Sequence, residues 1–528
     1  MPSPEPLAGA EPKPLTTEGG TILVGTLETL TALGRQIEAI PGCPVPVGCV
    51  VIGAAGVGAI AGPDPARPLA VLGSVGDLGR LREKLRLRSA VVCLPSSMPT
   101  VIASTREAVA RAGLEERFVA PLGDLLARGG DPATCWRPGA HRIDPAALIG
   151  REAHTLDRAS VSRVLRGRRV LITGAGGSIG SELARIVAGF DPELLVLMDR
   201  SENALFDIDR RIGERTPGVA RRAVLHDVVE SEGTMRLVAQ HRPQVIFHAA
   251  AHKHVPLMED HPAHAVTNNV FGTRAIADAA YACGTERFVL ISTDKAVRPT
   301  SVMGATKRIA EQYARWMHAR GRRGAGEPST TYSVVRFGNV LGSACSVLPI
   351  WAAQLADGGP ITVTDPRMTR YFMTIPEAAT LVTQAAALSG ETRTTGQAEA
   401  ALFVLDMGAP LRILDLAERF VRLHGIEPVI RRDGAIPMCA PAGVEIVFTG
   451  IRPGEKLEEE LSYAGERLLP TRHPGIRALE ASDDPLPDVS RSITSLDRAR
   501  SSADAEEILD ALRSCLPEFG SVRFAKAG

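Results

Sequence analysis

Residues 168–183 read Arg-Arg-Val-Leu-Ile-Thr-Gly-Ala-Gly-Gly-Ser-Ile-Gly-Ser-Glu-Leu, and they constrain the fold more than any other stretch of the 528 residues. An apolar run of strand character, Val170 to Ile172, meets glycines at 174, 177 and 180. A helical pattern comes next, with Ile179, Leu183, Ile186 and Val187 on one face. A second strand-like run, Leu194 to Met198, ends in Asp199. A strand, a Gly-rich turn and a helix N-terminus let backbone N–H groups approach a pyrophosphate, whose charge the positive helix end favours. An acid about twenty residues past the glycines is placed to accept ribose hydroxyls. The expected dinucleotide cradle is Gly174, Gly177, Ser178, Ile179 and Gly180 with Asp199.

Strand candidates recur downstream at Val170–Thr173, Leu194–Met198, Arg222–Leu225, Gln244–Phe247, Arg287–Ile291 and Thr331–Arg336, separated by amphipathic helical runs. Parallel strands with crossover helices predict an α/β, doubly wound Rossmann-type sheet that binds ligands at the carboxyl ends of its strands. Asp199, Asp227, Ala249–Ala251, Ser292–Lys295 and Arg336–Asn339 all follow strands, so one crevice should collect them. After Gly342 the pattern turns irregular, which predicts a small C-terminal substrate lobe. Before the central domain, strand-like and helical runs also alternate. They predict a second, degenerate Rossmann-like domain over 20–128. Its first turn, Gly25-Thr26-Leu27-Glu28, has no further glycine before Gly34, so a dinucleotide is not expected there. The remaining divisions are a disordered tail at 1–19, a Gly/Pro-rich linker at 129–150, a central domain with its lobe at 151–465 and an extension at 466–528.

Lys+Arg and Asp+Glu number 60 each, so no global field recruits nucleic acid or a membrane surface. The eight cysteines are scattered without a CxxC, as fits reduced thiols in a cytoplasmic protein. Residues 1–17 are Pro-rich without the apolar core of a signal peptide. No run reaches the ~20 apolar residues of a spanning helix. His248, His252, His254, His261 and His264 crowd one segment, but their spacing is not that of a metal site, and no metal is expected. Cys345 reads as a packed thiol.

The chemistry is expected in Ser292-Thr293-Asp294-Lys295 and in Ser301 to Lys307. Lys307 opens a helical run from which it can reach nicotinamide ribose hydroxyls. In short-chain dehydrogenases a tyrosine base sits four residues before that lysine. Here the position is Met303, whose thioether takes no proton at useful pH. Asp294 and Lys295 put a carboxyl beside an amine, the pairing needed to deliver one proton and remove another. A solvated loop pair is the alternative reading of the same two residues.

Seven motifs occur in order: 173–180, Ala-Ala-Ala-His-Lys-His-Val-Pro-Leu-Met-Glu (249–259), Ser-Thr-Asp-Lys-Ala (292–296), Met-Gly-Ala-Thr-Lys (303–307), Arg-Phe-Gly-Asn-Val-Leu-Gly-Ser (336–343), 364–374, and Arg-Pro-Gly-Glu-Lys (452–456). Over roughly 150–465 the chain resembles the polysaccharide-biosynthesis nucleotide-sugar dehydratases, an extended short-chain dehydrogenase family whose best-known members are UDP-N-acetylglucosamine 4,6-dehydratases. Met303 and the N-terminal region resemble its long branch. The long members usually begin with membrane-spanning helices, which are not expected here.

The resemblance implies C4 oxidation of a UDP-sugar, water loss across C5–C6 and hydride return to C6, with a tightly held NAD(P) regenerated each cycle. Carried over by position, Lys295 is the base at C5, Asp294 the acid to the C6 hydroxyl, and Thr293 a partner of the C4 oxygen. Lys307 orients the nicotinamide ribose, and Met303 stands in the lost tyrosine's place. Asp227, Ala249 and Ala250 join the cofactor side. Lys253, Asn339, Arg370, Arg452 and Glu455 join the UDP-sugar side, and a homo-oligomer is implied. Asp199 argues for NAD by repelling a 2′-phosphate, whereas Arg200 could accept one and admits NADP. Ala344-Cys345 stands where the family usually has glycine, which bears on substrate choice. An epimerase on the same scaffold, or a silent nucleotide-sugar-binding protein, are the other readings.

Overall fold

A computed structural model describes residues 20–30, 33, 46–53, 59–60, 69–95, 98–119, 148–321, 330–389, 402–424, 426–430, 443–480, 489–502 and 504–520. The expected 1–19 tail, nearly all of the 129–150 linker and most of an expected helix over 27–40 lie outside these residues. The chain divides into two compact units, Met1–Ile143 with Phe420–Glu427, and Asp144–Arg419 with Pro428–Gly528.

The first unit holds β1 (Gly20–Gly25), β2 (Pro46–Val51), β3 (Ala59–Ile60), β4 (Leu69–Gly73), β5 (Leu87–Cys93) and β6 (Glu115–Phe118) in the order β3-β4-β2-β1-β5-β6. All neighbours are parallel except β3 and β4. The central strand β1 is buried from Thr21 to Gly25, its middle Ile22-Leu23-Val24 apolar, because both its faces are covered. Ile22 and Val24 pack with Leu78 and Leu81 of helix α1 (Leu78–Leu85) and Val109 of helix α2 (Pro99–Arg111), while Leu23 packs with Leu30, Cys49 and Val51.

The second unit is built on β7 (Arg169–Thr173), β8 (Leu194–Asp199), β9 (Arg221–Leu225), β10 (Val245–His248), β11 (Arg287–Ile291), β12 (Thr331–Arg336), β13 (Leu402–Leu405), β14 (Leu468–Pro470) and β15 (Ile476–Leu479). Their order is β14-β15-β13-β12-β11-β10-β7-β8-β9. Seven of these strands, β13 through β9 in that order, are mutually parallel, and β15 and β14 add antiparallel pairs at the edge. This is the expected doubly wound α/β fold, with one more parallel strand than the six read from the sequence.

Strand order reverses between β7 and β10, which opens a crevice at their carboxyl ends. Short strands at Asn339–Leu341 and Phe372–Thr374 pair parallel, and Ile361–Val363 pairs with Gly443–Phe448, in the lobe beyond those ends. The described residues of 466–520, part of the stretch set apart as an extension in the sequence, belong to the same core. They supply β14 and β15, and Val489, Ile493, Leu496, Ile508 and Leu512 pack in one cluster with Phe288, Leu290 and Tyr332.

Candidate functional site

The Gly-rich turn joins β7 to helix α3 (Ser178–Ala188). Gly174 takes φ +65°, and a Cβ there would lie 2.7 Å from Ala250 N. A Cβ on Gly180 would lie 2.0 Å from Gly174 O. Only glycine lets strand, turn and helix approach so closely. Gly177 caps α3 without a side chain, so no side-chain acceptor occupies that helix end. Asp199 accepts from Gly176 N through Oδ2 and from Ser201 N through Oδ1, both at 2.9 Å. The acid thus pins the turn to the end of β8. Gly176, absent from the expected cradle, is the residue it holds. Arg200 donates to Asp227 Oδ2 at 3.5 Å and Asn268 Oδ1 at 3.4 Å, and lies 3.3 Å from His252 Nε2. Gly174, Gly177, Asp199, Arg200, Asp227, Ala249 and Ala250 line one cleft together with Met198, His226, Val228, Ala251, His252 and Asn268. The side chain of Ile179 instead packs on the core, and Ser178 Oγ accepts from Ala344 N at 3.0 Å.

A buried hydroxyl–imidazole chain backs the turn. Thr273 Oγ1 donates to Asn269 O at 2.7 Å, so it accepts from His248 Nε2 at 3.1 Å. His248 Nδ1 then accepts from Thr173 Oγ1 at 2.7 Å. Burial, helped by the Lys307 charge, pushes His248 down to about 3, so it stays neutral. Asn269 lies in a π-helical turn, Val266–Phe271, and bonds His252 N and O as well as Thr306 Oγ1. Such turns break the regular ladder and free side chains for work of this kind.

Lys307 stands on helix α4 (Val302–Gly321), buried, with its Nζ donating to Ile291 O at 2.6 Å. Burial lowers it to about 8 against the opposing pull of Glu311. Asp294 is fully buried, which removes the solvated-pair reading. Its Oδ1 accepts from Thr293 Oγ1 at 2.8 Å and from Lys295 Nζ at 3.0 Å. Lys295 Nζ also donates to Asn339 Oδ1 at 2.9 Å. Thr293, Asp294, Lys295 and Asn339 therefore form one hydrogen-bonded group.

Other expected site residues are placed differently. Met303 is 2 % exposed and sits in one apolar cluster with Leu290 and Ile309, a turn before Lys307 on the same helix. Arg370 is buried and donates to the backbone carbonyls of Thr369, Lys456 and Leu457, which makes it a brace rather than a free anion receptor. Arg336, expected in the crevice, is fully buried between Glu311 and Glu466, and Glu311 also accepts from Ser292 Oγ. Arg452 and Glu455 pair with each other at 2.6 Å, the arginine more than half exposed. Lys253 donates to Ser343 Oγ and to Ala344 O at 2.9 Å. The reading of motifs missed Glu459, buried 4.0 Å from Lys295 Nζ, and Lys456, 3.8 Å from Glu459. Both lie at or just past the end of the 452–456 motif, in the charged run Glu455-Lys456-Leu457-Glu458-Glu459-Glu460, where nothing in the sequence sets Glu459 apart from its neighbours.

A doubly wound sheet, a glycine turn tied to an acid, and a buried lysine on the helix after the fifth strand define a fold of the extended short-chain dehydrogenase kind. Over residues 170–481 the chain matches the polysaccharide biosynthesis protein family, and it belongs to that family. It is 39% identical over 415 residues to the probable polysaccharide biosynthesis protein EpsC of Bacillus subtilis, covering 77% of this chain and 63% of that protein. It is 30% identical over 221 residues to an inverting UDP-N-acetylglucosamine 4,6-dehydratase of Campylobacter jejuni, covering 42% of this chain and 63% of the other. Both alignments span less than two thirds of the relative's length. Among solved structures, Pen from Bacillus thuringiensis is similar at 28% identity and TM-score 0.50, over 60% of this chain and 89% of Pen. Among the described residues no helix is long and apolar enough to cross a membrane.

Proposed function

We propose that the chain is a nucleotide-sugar 4,6-dehydratase acting on UDP-N-acetylglucosamine or a close relative. The observation that carries this reading is the buried Asp294–Lys295 pair, 3.0 Å apart and held by Thr293 and Asn339. The named Campylobacter relative supports it.

The cleft fits a nicotinamide dinucleotide. A Cβ would fill the cradle at Gly174 or Gly180, and the N-terminus of α3 carries no side-chain cap. Gly174, Gly177, Ser178 and Gly180 would hold its pyrophosphate, Asp199 and Asp227 its adenosine side, and Lys307 its nicotinamide ribose. NAD is favoured over NADP because Asp199, at the end of β8, would repel a 2′-phosphate, while Arg200, 3.5 Å from Asp227 Oδ2, is the group that would admit one. When bound, the group supplies a hydride acceptor and donor, which makes a C4 ketone available during the cycle.

In the ketone form of the sugar the C5 proton is acidic. Lys295 Nζ takes that proton while Asp294 gives one to the C6 hydroxyl oxygen, which leaves as water. Thr293 bonds the C4 oxygen. The core-packed Met303 takes no proton, so Asp294 or a water serves the C4 hydroxyl. Lys253, Asn339, Arg452 and Glu455 face the sugar nucleotide, and Ala344-Cys345 narrows its choice. An epimerase needs no acid for a C6 hydroxyl, and the buried carboxyl beside Lys295 favours dehydration over it.

Incubation of the purified chain with UDP-N-acetylglucosamine, without added cofactor, tests the reading by mass spectrometry. A product lighter by one water is expected, and Lys295→Ala should lower kcat by about 10²–10⁴-fold. An isomer of unchanged mass would favour the epimerase. No conversion, with NAD and NADP supplied, would remove this substrate.

A further inference from the structure

The proposed chemistry makes a demand on Lys295 that its surroundings oppose. Its amine must be neutral to take a proton, yet Nζ lies 3.0 Å from Asp294 Oδ1 and 4.0 Å from Glu459 Oε1. Two ionised carboxylates at that range would hold the ammonium form. Relief has to come from one of the carboxyls.

Among the described residues Asp294 Oδ2 and Glu459 Oε2 both lack a hydrogen bond, but Asp294 Oδ1 accepts two, from Thr293 Oγ1 and Lys295 Nζ, so Glu459 is the better placed to hold a proton. Its side chain is 2 % exposed. Among the described residues no hydrogen bond reaches its Oε2, and the cation beside that oxygen, Lys456 Nζ, stands 3.8 Å away and donates to Val297 O instead. An ionised carboxylate with a buried oxygen left unpaired is costly, and protonation of the group lowers that cost. The charged groups facing it are Lys295 and Asp294 from the loop after β11, Arg370 from the strand Thr369–Arg370, and Lys456 from its own segment. The Arg370 guanidinium is spent on three backbone carbonyls. Burial outweighs these cations and pushes the Glu459 carboxyl up, and the Asp294 charge reinforces the shift.

We propose that Glu459 is a positioning residue for proton transfer, carrying a proton in the working enzyme so that Lys295 and Asp294 share a single proton between them. The role in turnover rests on the dehydratase reading above. With Glu459 neutral, the shared proton can move from Lys295 Nζ to Asp294 Oδ1 across 3.0 Å. That form has an amine lone pair for the C5 proton and an O–H for the C6 oxygen. After elimination Lys295 holds the C5 proton, Asp294 is a carboxylate and one water has left. Hydride return to C6 then draws the proton on Lys295 back to C5, and the proton that the C4 hydroxyl gave up to water on oxidation restores the single proton of the pair. An ionised Glu459 would keep the proton on Lys295 and stall the cycle.

Infrared spectra of the full chain labelled with 13C-glutamate, for the natural sequence and for Glu459→Gln, read the proton directly. A label-shifted protonated-carboxyl band at neutral pH, lost in E459Q, is expected; its absence overturns the inference. In turnover of UDP-N-acetylglucosamine, the ratio of kcat at about pH 9 to kcat at about pH 6 should rise at least about threefold in E459Q, since glutamine cannot ionise. An unchanged ratio with uniformly lower kcat marks a structural role and overturns it as well. A band without any turnover by the natural sequence supports the proton state while overturning the substrate reading.

Discussion

Strands β1 and β7 each run into a glycine and then a helix, and each is central in a parallel sheet. The turns beyond those glycines are built differently. After β1, Thr29 Oγ1 accepts from Thr26 N at 3.1 Å and donates to Cys93 O at 2.7 Å, while Thr26 Oγ1 accepts from Thr29 N at 3.3 Å. The turn consumes its own amides. After β7 the N-cap is Gly177, which has no side chain to offer, and Asp199 reaches across from β8 to hold Gly176 N. The residues after β2, Ile52-Gly53, supply no such acid. The units also differ in what they bury. Among the described residues the buried polar side chains of the first unit are Thr21, Thr29, Ser89 and Thr105, all hydroxyls. The second unit buries Asp294, Lys307, Glu311, Arg336, Arg370, Glu377 and Glu459. A parallel sheet needs no buried charge to stand. The charges buried in the second unit must have their desolvation met by close partners, as Glu311 and Glu466 do for Arg336.

The strongest test of that contrast removes a charge which touches no proposed substrate group. Arg336→Met leaves Glu311 and Glu466 without their guanidinium and should cost about 3–5 kcal/mol in urea unfolding. Burial alone would raise the Glu311 carboxyl, but Arg336, Arg308 and the Ser292 hydroxyl bring it from an ordinary 4.5 down to about 2. A depressed carboxyl stabilises the fold fully above its unfolded pKa and loses that contribution as pH falls toward the folded one. The loss caused by Arg336→Met should therefore be largest above about pH 5 and shrink in more acid solution, where Glu311, left with Arg308 and Ser292 alone, takes up a proton. A loss independent of pH would mean that Arg336 acts by packing alone.

A smaller and paired effect separates the two turns. A Cβ at Gly180 would press on Gly174 O at 2.0 Å, and one at Gly25 on Cys93 O at 2.3 Å. Each alanine substitution should destabilise its own unit by about 1–3 kcal/mol. Only Gly180→Ala should strip the dinucleotide from the purified chain, as read by chromatography of the released nucleotide. If Gly25→Ala strips it as well, the first unit is not the spectator its threonine-closed turn suggests.

The local parts of this site were legible because their chemistry is written within a few residues. The glycines at 174, 177 and 180, the acid at 199, the Asp294–Lys295 neighbours and Lys307 each announce themselves by type and spacing. Partners that meet only after folding did not. Arg336 joins Glu311 and Glu466 across 25 and 130 residues, and no periodicity links them. Arg370 looks available because it is a charge inside a motif, whereas its guanidinium is taken up by the backbone carbonyls of Thr369, Lys456 and Leu457. The strand Leu402–Leu405 escaped notice as a four-residue apolar run, buried on both faces and without alternation. Glu459 was passed over because a buried acid and a surface acid are the same letter.

Thr29→Val gives the smallest effect and refines the comparison most. It deletes the donor to Cys93 O and the acceptor of Thr26 N, both close to β1, and should cost about 1–2 kcal/mol in the stability of the first unit. It also frees an amide at a helix start that comes after a parallel strand. If a free amide at that place were enough, the variant would gain a second nucleotide site. Titration calorimetry with NAD should find no added stoichiometry, because the turn still lacks the cross-strand acid that Asp199 provides at β8. Were a second site to appear, closure by Thr29 alone would separate a spectator sheet from a nucleotide-binding one, and the acid would be dispensable.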